Sequence, residues 1–263
     1  VNTINNAGIV VTGGGSGIGA ALARRFAAEG ARVVVNDIDA AAAAAVAGSC
    51  GATAVPGDAA SSGGVAALIA SAREALGEID IYCANAGIVR NGGPESPDAD
   101  WDASWEVNVM GHVRAARLLL GRWLERGSGH LICTVSAAGL LTMPGTASYS
   151  VTKHAALSFA EWMAVTYAHQ GLTVQAICPL GVRTGMLDGT DPAAEVVLGD
   201  TVIKPEAVAD AVMAGIADGR FLILPHPEVA QMYAGRATDT DRWLRGMNKL
   251  QRRMEEAAPQ ALP

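Results

Sequence analysis

Gly8-Ile9-Val10-Val11-Thr12-Gly13-Gly14-Gly15-Ser16-Gly17-Ile18-Gly19 is the stretch on which the reading of this chain turns. Gly8–Val11 is a short apolar run suited to a buried strand. From Ile18 the pattern changes to the helix-forming Ala20-Ala21-Leu22-Ala23. Between them sits a loop crowded with glycine. Glycines allow a tight turn and let backbone approach a ligand closely. The helix that follows offers unpaired N–H groups and the positive end of its dipole. Strand, glycine turn and helix together predict a cradle for a dinucleotide pyrophosphate, formed by Gly13, Ser16, Gly17, Ile18 and Gly19.

The next strand candidate, Ala31–Val35, runs into Asn36-Asp37. Asp37 lies about 20 residues beyond the glycine loop, where an acid accepts hydrogen bonds from the adenosine ribose hydroxyls. A carboxylate there repels a 2′-phosphate. Ile38 follows in place of an arginine, and Ser16 is uncharged, so NAD (NADH) is expected over NADP. The competing role for Asp37 is the N-cap of a helix over Ile38–Val46, a role for which Asp39 also competes.

Further strand candidates are Thr53–Val55, Ile79–Ala84, His130–Val135 and Thr173–Ile177. Helical segments include Ile18–Glu29, Val65–Leu76, Trp101–Arg126 and Ala147–His169. This alternation predicts an α/β fold: a single-domain, Rossmann-like, doubly wound parallel sheet with helices on both faces. Gly30, Gly77, Gly127 and Gly171 each follow a helical segment, as C-capping glycines do. One domain is expected over 1–263, with a core of about 7–225 and a helical tail of about 226–263. Near its end come a helix around Pro205–Ala217, a strand candidate Arg220–Leu224 and the break Pro225-His226-Pro227.

Composition bounds the rest. The 263 residues carry 19 basic and 26 acidic side chains, a formal charge of -7, and half are apolar. No basic stripe marks a nucleic-acid footprint. The basic stretch Arg242–Arg253 is followed by Glu255 and Glu256 and reads as a solvated helix face. The run Ala7–Val11 is too short for a signal peptide, and no apolar run approaches a membrane span. Cys50, Cys83, Cys133 and Cys178 are far apart and form no metal-type cluster. Reduced, mostly buried thiols, no metal site and a cytoplasmic location are expected.

The catalytic candidates lie beyond the cofactor loop. Tyr149-Ser150-Val151-Thr152-Lys153 is a Tyr-x-x-x-Lys pattern, which places Tyr149 and Lys153 on one helix face. Ser136 precedes the tyrosine at the end of a strand candidate. A ketone reduction needs a proton donor at the carbonyl oxygen, and the reverse reaction needs a base. A free phenol, with a pKa near ~10, is a poor base at neutral pH. A lysine ammonium and a cationic nicotinamide both favour phenolate. Lowering the pKa by about 3 units takes about 4 kcal/mol of differential stabilisation, within reach of two nearby charges in a desolvated site. Ser136 is placed to hydrogen-bond and orient the substrate oxygen.

Together, Thr12–Gly19, Asn85-Ala86-Gly87, Asn108 in Val107-Asn108-Val109, Ser136 and the Tyr149/Lys153 pair resemble the short-chain dehydrogenase/reductase family, over roughly residues 7–225. The resemblance implies that Lys153 also grips the nicotinamide ribose and that Asn108 belongs to a water-linked proton relay. It puts Asp58, with Ala59, at the adenine, and passes Asn85, Ala86 and Gly87 beside the adenosine ribose. Pro179, Val182 and Thr184 are expected near the carboxamide. It implies a homodimer or homotetramer packed along Trp101–Arg126 and Ala147–His169. One departure stands out: Pro179-Leu180-Gly181-Val182-Arg183-Thr184 has leucine where the family usually has glycine.

Expected pocket positions are Ala138, Leu140, Met143, Leu180, Met186 and Leu187. They are mostly apolar, which favours a small-molecule apolar or aromatic secondary alcohol or its ketone, unless Arg90, Arg183 or His226 faces the pocket. Met232, Tyr233, Trp243, Leu244, Met247 and Leu250 give the tail apolar faces, for packing on the domain or a partner subunit, or for covering the cleft. The competing readings are an NADPH-dependent biosynthetic ketoreductase and a catalytically silent dinucleotide-sensing scaffold. Asp37 and the lack of an Asp-Gly-Gly ending speak against the first. Retention of Ser136, Tyr149 and Lys153 speaks against the second.

Overall fold

A computed structural model describes residues 4–185, 187, 196 and 198–257. Seven parallel strands form one sheet in the order β3-β2-β1-β4-β5-β6-β7. They are β1 (Gly8–Val11), β2 (Arg32–Val35), β3 (Thr53–Ala54), β4 (Ile81–Ala84), β5 (Gly129–Thr134), β6 (Leu172–Ile177) and β7 (Leu222–Ile223). Val11 pairs with Val35 on one side and with Cys83 on the other. The strand order therefore reverses at β1, and a crevice opens beyond the carboxyl ends of β1 and β4, the usual ligand position in such sheets.

Both faces of the sheet are covered. Val10, Tyr82, Leu131 and Cys133 point into one core, Ile9, Val11, Ile81 and Ile132 into the other. Strands buried on both sides explain the unbroken apolar runs in the sequence. The helices start and stop where local chemistry predicts. Asp39 caps α2 (Ala40–Cys50) by accepting from the N–H groups of Ala41 and Ala42, and Ser61 caps α3 (Ser62–Leu76) through Gly64 N–H. α1 (Gly17–Ala28) buries Leu22 and Phe26, four residues apart, against the sheet.

Three expectations change. The segment read as one helix over Trp101–Arg126 begins earlier and is divided: α4 (Asp98–Trp105), a π-helical turn over Glu106–Met110, and α5 (Gly111–Glu125). Gly111 N–H reaches back to Glu106 C=O, a five-residue span that admits one extra residue into the turn. Periodicity alone does not reveal such a bulge. A short α6 (Ala138–Leu141) was not anticipated, because four residues carry no periodic signal. The last strand contracts from Arg220–Leu224 to Leu222–Ile223, since only these two residues find partners on β6.

The remaining helices are α7 (Ala147–Tyr167), α8 (Pro205–Asp218), α9 (Glu228–Thr238) and α10 (Thr240–Ala257). Among the described residues no helix is long and apolar enough to cross a membrane. All four cysteines are free thiols, and three of them are buried. On the tail, Val229 is fully buried and Trp243 packs against the core, whereas the basic face of α10 is exposed.

Two buried imidazoles link this packing to pH. His112 on α5 is 2% exposed, and neither ring nitrogen has a partner among the described residues. Burial, and then the Lys153 charge, push its pKa from 6.5 to about 3. His130 on β5 is pushed to about 4 by burial, despite its bond to Gln175. Unfolded, both imidazoles take up protons near 6.5; folded, they stay neutral well below that. The unfolded chain thus binds more protons in that window, and the stability present above it is lost as pH falls. The urea midpoint should drop from pH 6.5 towards pH 4. A His112→Leu, His130→Gln double variant should show a shallower drop; an unchanged slope would contradict the assignment.

Candidate active site

Three strand ends are tied together at the crevice. The Thr12 hydroxyl, just past β1, accepts from the N–H groups of Asn85 and Ala86, both at 3.0 Å, and donates to Cys83 C=O at 3.2 Å. Asn85, just past β4, donates to Thr12 C=O at 2.9 Å and accepts from the Thr134 hydroxyl at the end of β5, also at 2.9 Å. Each buried polar group is thereby satisfied, and the mouth of the crevice is held rigid.

The glycine loop fits closely around its surroundings. A Cβ on Gly15 would lie 2.8 Å from the Asp37 carboxylate. One on Gly17, where φ is +51°, would lie 2.8 Å from Thr184 Cγ2. Any side chain at either position would fill the cradle. Ser16 precedes α1 in extended conformation, and its hydroxyl makes no cap bond, so it is not spent on the helix. Gly13, Ser16, Gly17, Ile18 and Gly19 are thus gathered around one helix N-terminus, a ready anion site.

Asp37 accepts the Gly15 N–H at 2.9 Å and the Asp39 N–H at 3.0 Å. Asp39, not Asp37, is the N-cap. Ile38 is 81% exposed at the rim. Asp58 accepts from Ala60 N–H at 2.7 Å and Ser61 N–H at 3.1 Å. Burial raises its pKa, but the Ser61 hydroxyl, these two amides and Arg114 outweigh that and leave it below the usual carboxylate value. The Asp58 carboxylate thus shapes the turn into α3, and Ala59 beside it is half-buried.

The four catalytic candidates converge from three directions. Tyr149 and Lys153 lie one turn apart on α7, with Lys153 Nζ 5.5 Å from the tyrosine ring centroid. Nζ donates to Thr134 C=O at 2.9 Å. An ammonium has three donors; among the described residues this is the one hydrogen bond it makes. Ser136 follows β5; its hydroxyl accepts the Ala138 N–H at 3.1 Å and acts to lower the pKa of the Tyr149 phenol. Its φ is +126°, a conformation that non-glycine residues rarely adopt. Strain of this kind concentrates at functional sites. Ser136 N–H donates to Ile177 C=O at 3.1 Å and Ala137 N–H to Pro179 C=O at 2.7 Å, which holds the turn in place.

Asn108 sits in the π-helical turn, fully buried. Its side chain accepts from Ile88 N–H at 2.9 Å and donates to Ile88 C=O at 3.0 Å and to the Thr152 hydroxyl at 3.1 Å. It therefore pins the segment following Asn85-Ala86-Gly87 to α7. A Cβ on Gly87 would lie 3.2 Å from Asn108 Oδ1 and 3.4 Å from Lys153 Nζ.

Electrostatics around the pair is dominated by burial. Desolvation raises the Tyr149 pKa above 10.0, although the Ser136 hydroxyl lowers it. Burial lowers Lys153 to about 8. Cys133 and Cys178 nearby are pushed up to about 12, first by burial, and so remain neutral thiols rather than counter-anions.

The pocket expectations divide. Ala138 and Leu140 on α6 are 6% and 1% exposed, and Leu140 packs into the core. A helix directly after Ser136 turns these side chains inward. Met143 and Leu187 are half-buried, and Leu180 packs partly against the core. Met186 lies outside the described residues. Arg90 pairs with Asp100 at 3.3 Å. Arg183 is exposed. His226 is buried with both nitrogens engaged. Thr134 was not singled out, Thr12 entered only as the start of the glycine motif, and His226 only as a residue that would matter if it faced the pocket. Their contacts join segments distant in sequence, and only the preserved order of motifs hinted that those segments meet.

A family profile described as short chain dehydrogenase matches residues 7–195. The chain is 36% identical over 228 residues to 1-deoxy-11-beta-hydroxypentalenate dehydrogenase of Streptomyces exfoliatus, covering 83% of this chain and 82% of the relative. It is 37% identical over 205 residues to 2-(S)-hydroxypropyl-CoM dehydrogenase 3 of Xanthobacter autotrophicus, covering 74% and 80%. Among solved structures, a short chain dehydrogenase/reductase from Burkholderia phymatum in complex with NAD superposes with a TM-score of 0.83 at 30% identity, covering 90% of this chain and 95% of that one. The glycine cradle, the Tyr149/Lys153 helix and these likenesses agree: the chain belongs to the short-chain dehydrogenase/reductase family of oxidoreductases.

Proposed function

We propose that this protein interconverts an apolar or aromatic secondary alcohol and its ketone, with NAD as the hydride acceptor. The observation that carries the cofactor choice is the Asp37 carboxylate, fixed at 2.9 Å from the Gly15 N–H at the lip of the glycine cradle. It presents an acceptor to ribose hydroxyls and repels a 2′-phosphate, and exposed Ile38 beside it offers no compensating charge. The B. phymatum structure in complex with NAD supports the same reading. Both relatives described above are named as dehydrogenases of hydroxyl-bearing compounds.

The bound nicotinamide supplies hydride chemistry and, when oxidised, a positive charge. Everything else falls to the chain's own residues. Tyr149 takes the alcohol proton as phenolate, or returns it to the carbonyl oxygen as phenol. Ser136 hydrogen-bonds the substrate oxygen and the phenol, holding both in line. Lys153 raises the local positive potential and has donors left for the nicotinamide ribose. Asn108 holds the segment beside Gly87 against α7, so that Lys153 keeps its place. Val182 and Thr184 bring the post-β6 segment across the glycine loop towards the carboxamide. Exposed apolar side chains, Leu118 on α5 and Val151, Trp162 and Val165 on α7, support self-association along these helices.

Tyr149→Phe should cost about 10²–10⁴-fold in turnover of 1-phenylethanol with NAD. NADH affinity should be kept; equal loss of both would mean that Tyr149 is structural. Asp37→Ser should shift the NADP-to-NAD ratio of kcat/KM by roughly tenfold or more towards NADP. An unchanged ratio would remove Asp37 from the cofactor site. Val165→Glu should lower the solution mass measured by light scattering, and an unchanged mass would place the subunit contact elsewhere.

A further inference from the structure

Buried His226 lies where the chain leaves the sheet for its tail, between β7 and α9. Its ring joins two segments distant in sequence. Nδ1 accepts the Leu180 N–H at 3.1 Å, and Nε2 lies 2.9 Å from Thr201 C=O. Both contacts together require a neutral ring with its proton on Nε2. Leu180 begins the stretch that passes Val182 and Thr184 over the glycine loop, and Thr184 Cγ2 lies against Gly17. Thr201 lies two residues before Ile203, which is joined to the same stretch: Arg183 N–H donates to Ile203 C=O at 2.9 Å and Ile203 N–H to Gly181 C=O at 3.1 Å. Leu180 stands where the family usually has glycine, and the imidazole fixes the amide of that residue.

We infer that His226 is a positioning residue for the nicotinamide half of the dinucleotide site: its imidazole clamps Leu180 to Thr201 and thereby sets the placement of Val182 and Thr184 against the glycine loop. The inference rests on the dinucleotide reading above but concerns only one half of the ligand. The adenosine half meets Asp37 and the glycine cradle, and His226 touches neither of them. A second contact from the tail has the same direction. Arg236 on α9 donates to Leu140 C=O on α6 and lies 3.0 Å from His154 Nε2 on the catalytic helix. The tail thus grips both sides of the substrate end through polar contacts with backbone and ring.

The test compares NADH with ADP-ribose, which lacks nicotinamide, by calorimetric titration of the full chain and of His226→Ala, His226→Asn and His226→Gln. His226→Ala should weaken NADH by roughly five- to tenfold and leave ADP-ribose within about twofold. Asn presents an acceptor close to the Nδ1 position and should recover NADH affinity better than Gln, which serves only the Thr201 side. Hydrogen exchange should rise in peptides covering 180–185 and 198–203, with β1 and β5 unchanged. Equal weakening of both ligands, faster exchange throughout the sheet, or wild-type exchange at 180–185 would each overturn the inference. If the unaltered protein bound neither ligand, the dinucleotide reading would fail by itself, and the exchange measurement would still decide whether His226 clamps the two segments.

Discussion

A phenol and an ammonium buried side by side, with no carboxylate beside them among the described residues, set the terms for the rest of this structure. Desolvation disfavours the charged form of each. Tyr149 is driven above its ordinary value and Lys153 down to about 8. The neighbouring thiols of Cys133 and Cys178 stay protonated and offer no negative charge. The protein alone therefore holds Tyr149 as a neutral phenol. A positive charge arriving in the crevice would shift that balance towards phenolate, which is what the role proposed for Tyr149 requires.

Such a pair has to be held firmly, because an ammonium free to rotate would find water. The fold supplies the constraint through strand ends rather than through helices alone. Thr134 C=O at the tip of β5 takes one Lys153 donor, while the Thr134 hydroxyl engages Asn85, which in turn grips the glycine loop through Thr12 and Gly13. The glycine cradle and Lys153 thus share one hydrogen-bond network across β1, β4 and β5. On the far side, the unusual backbone of Ser136 is over-determined by bonds to the end of β6 and by its place before α6. The π-helical turn lets Asn108 face Ile88 and Thr152 simultaneously.

The sequence made the parallel sheet legible because apolar runs on both sides of glycine loops leave few arrangements. Val33-Val34-Val35 before Asp37 and Ile81–Ala84 before Asn85 have no other stable use in an alternating α/β chain. That Tyr149 and Lys153 sit side by side was legible because their spacing is local to one helix. Asn108 was found by resemblance, yet its side chain proves to be spent on Ile88 and Thr152, which no pattern in the sequence shows. The burial of Leu140 was not legible, because the four-residue helix that turns it inward carries no periodic signal. Ser136 carries no sign of its positive φ, and His226 none of its two partners. In each case the missing information is tertiary: a bond between segments far apart in the chain.

The most direct test is the ionisation of Tyr149 itself, followed by tyrosinate absorbance as the difference between the unaltered protein and Tyr149→Phe, with and without saturating NAD. The account predicts no Tyr149 ionisation below pH 10 in the free protein and a clear shift towards neutral pH once NAD is bound. A phenol that already titrates well below pH 10 without cofactor, or one that NAD leaves unmoved, would contradict it.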